Sequence, residues 1–122
     1  MAVFVSVRGF LQCDAPQLAE LERIIRSPEV DYPYNEAWAL PGRHYNWIHY
    51  VFYGADIHAD SVEPMLDLLR TIARIPPSDD DNDHVTGLFH ASHEMDGMSE
   101  WQIRDGRVHI GPAGDRLRYL DA

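Results

Sequence analysis

The first part of the chain alternates apolar and polar positions and then changes to a helical repeat. Residues 2–12 read AVFVSVRGFLQ, and the valines and Leu11 share one parity. This predicts a β-strand, because successive side chains of a strand point to opposite faces. Asp14 follows as a helix cap, with Pro16 in the first turn and Gln17 placed as in a capping box. Apolar residues then recur at helical spacing, which predicts the first helix.

The middle of the chain is less regular and then strongly aromatic. Residues 29–43 contain two prolines and mixed aromatic residues, with an optional short strand at 36–40. The stretch from Tyr45 to Tyr53 reads YNWIHYVFY, which predicts a strand. We expect Gly54 to end that strand or to form a bulge in it.

The second half predicts another helix, a strand and a hairpin. Asp60 and Glu63 form a second possible capping box, and apolar residues within 62–73 lie on one helical face. Residues 85–94 read as a strand. The Asp105–Gly106 pair then separates two short strand-like runs, which is a strong signal for a two-residue hairpin turn.

This order predicts one α+β domain over residues 1–122. We expect a mainly antiparallel sheet with two helices packed on one face. The arrangement would be a split βαβ (ferredoxin-like) fold or a variant with extra C-terminal strands.

The predicted strand from Tyr45 to Tyr53, called the aromatic strand below, carries large rings on both parities, so one question is which side meets the core. If both helices cover the same face, we expect Ile48, Tyr50 and Phe52 to pack beneath them. The opposite parity would form an open aromatic surface of rings with polar tips, which favour interfaces. That surface would consist of Tyr45, Trp47, His49 and Tyr53. The alternative is a central strand that is covered on both sides, on one of them by residues 29–43.

Charge narrows the expected partners. The chain has 20 acidic and 10 basic residues, all of the latter arginine, for a net charge of −10. Residues 29–105 hold 15 acidic residues and four arginines, a net of −11. Such a surface repels phosphate backbones, so we expect no direct nucleic-acid binding. It suits a basic protein partner instead.

The expected location is the cytoplasm. The lone Cys13 fits a reducing compartment. The N-terminus lacks the features of a signal peptide, and no apolar run has the length of a membrane span.

The candidate chemical motifs are incomplete. His90 and His93 are three residues apart on a predicted strand, so their rings should diverge rather than bind zinc. The SDDDND segment lacks the spacing and the final glutamate of a calcium loop. Cys13 precedes a helix N-terminus but has no local catalytic motif. The glycines match no phosphate-binding or dinucleotide motif. We therefore expect no metal, no cofactor and no catalytic activity.

Several short features resemble small immunity proteins encoded beside bacterial polymorphic toxins. They are Gly9–Phe10 after the first strand, Asn46–Trp47 in the aromatic strand, and the late Trp101, Ile103 and Asp105–Gly106 segment. The resemblance spans most of the chain as an order of elements. It implies a protein that binds a cognate toxin and blocks it without catalysis, and many such toxins are basic nucleases.

The leading hypothesis is therefore a binding protein that neutralises a toxin or enzyme by occupying its surface. The first alternative is a phage-encoded inhibitor of host defence, an anti-CRISPR or nucleic-acid mimic, and the second is a small enzyme or ligand-binding module. The expected partner-binding residues are the open aromatic parity and the neighbouring acids. These are Tyr45, Trp47, His49, Tyr53, Asp79, Asp80, Asp81, Asp83, Glu94, Asp96 and Glu100.

Overall fold

A computed structural model describes residues 2–30, 32–42, 46–79 and 83–121. Six antiparallel strands form one sheet, which confirms the α+β class. The strands are β1 (Phe4–Cys13), β2 (Trp38–Ala39), β3 (His49–His58), β4 (Thr86–His93), β5 (Gly97–Arg104) and β6 (Arg107–Pro112). The α-helices are α1 (Ala15–Ile25) and α2 (Val62–Ala73), and short 3-10 helices span Asn35–Ala37, Ala59–Ser61 and Asp115–Asp121. The spatial order of the strands is β2-β3-β1-β4-β5-β6.

Helix α1 begins as its sequence predicts. The Gln17 backbone N–H donates to Asp14 Oδ1 at 2.9 Å, and the Asp14 N–H donates to Gln17 Oε1 at 3.0 Å. The capping box is therefore complete, and two backbone donors that the helix leaves unpaired are satisfied.

Helix α2 begins differently from the prediction. The Asp60–Glu63 capping box is wrong, because residues 59–61 form a 3-10 turn and the cap residue, Ser61, makes no side-chain capping bond. The N–H of Asp60 instead donates to Nδ1 of His58, at 3.2 Å. A histidine at the end of β3 thus caps the turn that leads into the helix.

The aromatic strand starts later and runs further than the sequence suggests. β3 begins at His49 and continues through Gly54 to His58, so the expected end or bulge at Gly54 is wrong. Gly54 pairs with Arg8 in a ladder that continues on both sides. The glycine therefore keeps the regular strand geometry.

The hairpin is confirmed. Asp105 and Gly106 both have positive φ values, 55° and 73°, and they connect the antiparallel pair β5 and β6. A type I′ turn requires a positive φ at both of its central residues. This turn type is favoured in two-residue hairpins because its twist matches that of the flanking strands.

One face of the sheet supplies the hydrophobic core and is called the core face below. Its buried strand residues form one cluster with the buried residues of both helices. From the strands these are Val5, Val7, Leu11, Val51, Tyr53, Ile57, Phe89, Ala91, Trp101 and Ile103. Within this cluster Trp38 packs edge-on against Tyr53, with ring centroids 4.8 Å apart, and Phe89 stacks on Trp101 at 6.4 Å.

The predicted orientation of the aromatic strand is wrong. His49 and Tyr53 are only 5% and 4% exposed and lie on the core face, whereas Tyr50 and Phe52 are 47% and 55% exposed on the opposite, second face. The cross-strand register is the cause, because it pairs Tyr53 with Gly9 of β1, whose parity also supplies the buried valines and Leu11. His49 and Tyr53 therefore cannot form part of an open surface.

None of the helices in the described ranges is long and apolar enough to cross a membrane.

Candidate functional site

The second face of the sheet exposes a strip of apolar side chains along β3 and β1. This apolar strip consists of the exposed Tyr50 and Phe52 of β3, the half-buried Phe10 of β1, and the exposed Trp47 and Ile48 just before β3. Trp47 is 75% exposed, and Phe52 faces Phe10 directly across the two strands. The rings of Phe10 and Tyr50 lie 6.5 Å apart. From these exposures the strip presents on the order of 400 Å² of apolar surface, which is the size of the largest apolar patch on a typical monomer, a patch that is often functional.

The other half of the second face, over β4 and β5, is partly covered by the C-terminal 3-10 helix. The Arg8 guanidinium donates to the Leu120 carbonyl at 3.0 Å, which holds this helix against the sheet. Between β6 and this 3-10 helix, the Ala113 N–H donates to the Met98 carbonyl of β5 at 3.3 Å. Among the described residues, the apolar strip is thus a portion of the second face on which large side chains stay exposed.

The face beside the C-terminal helix is polar. His90 Nε2 lies 3.5 Å from a Glu100 carboxylate oxygen, and the Gln102 amide donates to the other oxygen at 2.9 Å. Within the described ranges, Nε2 of His90, Oγ of Ser92 and Nε2 of His109 are buried without a hydrogen-bond partner. Glu100 is therefore a member of a partly buried network rather than an exposed acidic group.

A cavity of about 330 Å³ lies at the Trp47 end of the apolar strip. Its wall combines Trp47 and Ile48 with the acidic residues Asp14, Asp79 and Asp83. The loop between α2 and β4 contacts α1 here, because the Gln17 side-chain amide donates to the Asp83 carbonyl at 2.8 Å. The structure thus brings together three of the predicted binding residues, namely Trp47, Asp79 and Asp83.

Other predicted acids lie at the opposite end of the sheet. Glu94 follows β4, and its N–H donates to the Phe4 carbonyl at 3.3 Å. Asp96 lies in the β4–β5 turn, with a carboxylate oxygen 3.7 Å from Nε2 of His93. The predicted acids therefore form two separate groups instead of one continuous surface. Tyr45, Asp80 and Asp81 lie outside the described residues.

The cysteine is unsuited to nucleophilic chemistry. Cys13 is 6% exposed, and burial, with a smaller contribution from the Asp14 charge, raises its pKa to about 12. The thiolate is the reactive form of cysteine, and this environment keeps the thiol protonated at neutral pH. Among the described residues, no group of three or more His, Cys, Asp or Glu side chains could hold a metal ion.

Comparison with protein-family models, with curated proteins and with solved structures finds no match to this chain. The likeness to immunity proteins therefore stays a prediction from the order of elements.

Sequence reasoning missed Ile48, Tyr50, Phe52 and Phe10 as surface residues. The signal was present, since the aromatic strand has large side chains on both parities. The pattern alone does not say which parity faces the core. The exposed aromatic side chains are Tyr50 and Phe52, whereas the sequence predicts His49 and Tyr53.

Proposed function

We propose that this protein is a non-catalytic inhibitor that binds another protein through the apolar strip, as an immunity protein binds its cognate toxin. The observation that carries the proposal is the exposure of Tyr50 and Phe52 on the second face, with Trp47 exposed just before the same strand. Leaving such rings in water has a cost that binding would remove, because each large aromatic side chain contributes strongly when buried at an interface.

The size of the surface is consistent with a protein partner. A standard interface buries roughly 800 Å² on each side, and the apolar strip would supply about half of that. The rest would come from polar groups around it, as in the apolar centre and polar rim of known interfaces. Asp79 and Asp83 lie in such a rim position beside Trp47.

Charge favours a basic partner. The net charge of −10 would speed encounter with a positively charged protein and slow encounter with acidic ones. A basic nuclease toxin is the partner that best fits both the charge and the resemblance in the order of elements.

The fold hypothesis belongs to the same proposal. The order β2-β3-β1-β4, with α1 after β1 and α2 after β3, supports classing the domain as a variant of the split βαβ arrangement. The two helices would pack on the core face, and the β5–β6 hairpin would extend the sheet.

The proposal is tested by capture and inhibition. The full chain, immobilised, is used to capture its partner from the cells that encode it, and the captured enzyme is assayed with and without added chain. We expect stoichiometric inhibition by the wild type. Trp47→Ala should weaken binding by at least about tenfold while the circular dichroism spectrum stays unchanged, since an exposed anchor contributes to binding and not to the core.

Met95→Ala is the matched control, because Met95 is also 75% exposed but lies in the β4–β5 turn away from the apolar strip. It should inhibit like the wild type. Equal inhibition by Trp47→Ala and the wild type would refute the assignment of the surface. A captured protein whose activity the chain does not alter would refute the inhibitor role.

A further inference from the structure

The apolar strip lies between two acidic ends. Asp79 and Asp83 border it at the Trp47 end. At the other end Asp56, exposed on β3, accepts a hydrogen bond from the Ser6 hydroxyl at 2.5 Å, and Glu94 is exposed after β4. A surface with an apolar centre and negative charge at both ends complements a partner with an apolar centre and positive ends.

The form of the partner follows from the face that it meets. The backbone groups of β1 bond laterally to β3 and β4, so the middle of the second face offers side chains and no free strand edge. On the outer side of β3, β2 pairs only with Phe52 and Tyr53, but a partner that covers the middle of the face meets side chains rather than that edge. A helix can bury an apolar stripe against side chains alone, as α1 and α2 do in the core cluster.

A second copy of this chain is a poor occupant. Each copy carries −10, and a two-fold related contact through the apolar strip would bring acidic groups against acidic groups. Like charges in such positions oppose association.

We propose that the apolar strip binds a cationic amphipathic helix of the partner, lying along β3 with basic residues at both ends. From Ile48, just before β3, to Asp56 the chain advances by eight residue spacings, or about 26 Å, which corresponds to a helix of about 17 residues. The inference rests on the proposed function, since it names the chemistry of the partner at the same surface.

The probe is a synthetic helix of about 18 residues, with leucine and alanine on one face and lysine or arginine at the remaining positions. It is titrated into the full chain by isothermal calorimetry, and the tryptophan emission is recorded. Two comparison peptides are used, one with the same composition in scrambled order and one with glutamate in place of the basic residues. We expect the cationic amphipathic peptide to bind at least about tenfold more tightly than either of them.

Two protein variants place the binding site. Phe52→Asp should weaken peptide binding by about tenfold or more. Ile110→Asp is the matched control, because Ile110 is also an exposed strand residue, at 52%. It pairs with Trp101 and therefore lies on the core face, away from the apolar strip. This variant should bind within about twofold of wild type. Circular dichroism confirms that both variants fold, and Tyr50→Asp replaces Phe52→Asp if that variant does not.

Equal binding of the scrambled peptide, or unchanged binding by Phe52→Asp, would overturn the inference. If Trp47→Ala abolishes inhibition of the captured enzyme while the peptide fails to bind, the partner uses a surface other than a cationic helix and only this inference falls. If Trp47→Ala has no effect on inhibition either, the proposed function falls with it.

Discussion

Replacing Gly9 with alanine should destabilise the domain, because the core face has no space for even one methyl group there. A Cβ at Gly9 would lie 2.4 Å from the Leu88 carbonyl oxygen and 2.4 Å from Cγ of Phe89. The Leu88 oxygen is backbone within the β1–β4 ladder, and the Phe89 ring is fully buried, with Tyr53 and Trp101 beside it. Neither neighbour can move without disturbing the sheet or the aromatic cluster.

The expected cost is about 3 kcal/mol, at the upper end of what overpacking a core costs. The total stability of a domain of this size is on the order of 6–18 kcal/mol, so the variant should fold but unfold earlier. With an m-value of about 2 kcal/mol per molar urea, the unfolding midpoint should fall by about 1.5 M. The measurement is urea unfolding followed by the emission of the two buried tryptophans, Trp38 and Trp101.

Gly54→Ala is the matched control on the neighbouring strand, because a Cβ there meets nothing within 4 Å. It should leave stability unchanged or raise it by about 0.5–1 kcal/mol, since alanine restricts the unfolded chain. A Gly9→Ala midpoint that equals or exceeds that of Gly54→Ala would refute the argument that β1 gives up a side chain to make room for the ring of Phe89.

Two further predictions concern the junction of β1 and α1. The pKa of Cys13 is raised from 9.0 to about 12 in the folded state, so the folded chain holds a proton that the unfolded chain releases above pH 9. The free energy of unfolding should therefore fall by about 2–3 kcal/mol between pH 9 and pH 11. Over the same pH range, the urea midpoint of Cys13→Ala should fall less steeply than that of the wild type. Equal slopes of midpoint against pH for the two proteins would contradict this. Asp14→Ala removes the capping bond to the Gln17 N–H and the bond that the Ser78 hydroxyl donates to the other carboxylate oxygen, and should cost about 1 kcal/mol in thermal or urea unfolding. The exposed Glu29→Gln should cost less than about 0.5 kcal/mol. Equal losses in these two acid variants would show that the capping bond is not the cause.

Local features were predictable wherever the residues that cause them are neighbours in sequence. The capping box at Asp14 and the turn at Asp105–Gly106 each depend on two to four consecutive residues, and both appear as expected. The start of α2 was missed because His58, which caps the turn before it, belongs to the preceding strand. Nothing in the Asp60–Glu63 pattern indicates that competing bond.

The candidate site was predictable only in part. Trp47, Asp79 and Asp83 were expected at a binding surface, and the structure brings them to one cavity. Their meeting needs the loop after α2 to return to the start of α1, where the Gln17 side-chain amide donates to the Asp83 carbonyl. Such a long-range contact leaves no pattern in either segment alone.

The sequence by itself determined the order of the long strands and the two α-helices, the hairpin turn and the two parities of the aromatic strand, because alternation and helical spacing are local properties. Only the tertiary structure decided which parity faces the core. That choice depends on register, since Tyr53 pairs with Gly9 on the core face, where its hydroxyl donates to the Tyr34 carbonyl at 3.0 Å. Tyr50 and Phe52 then point to the second face, where both stay exposed. A shift of one residue in the pairing would reverse both faces, and no segment of the chain encodes that register alone.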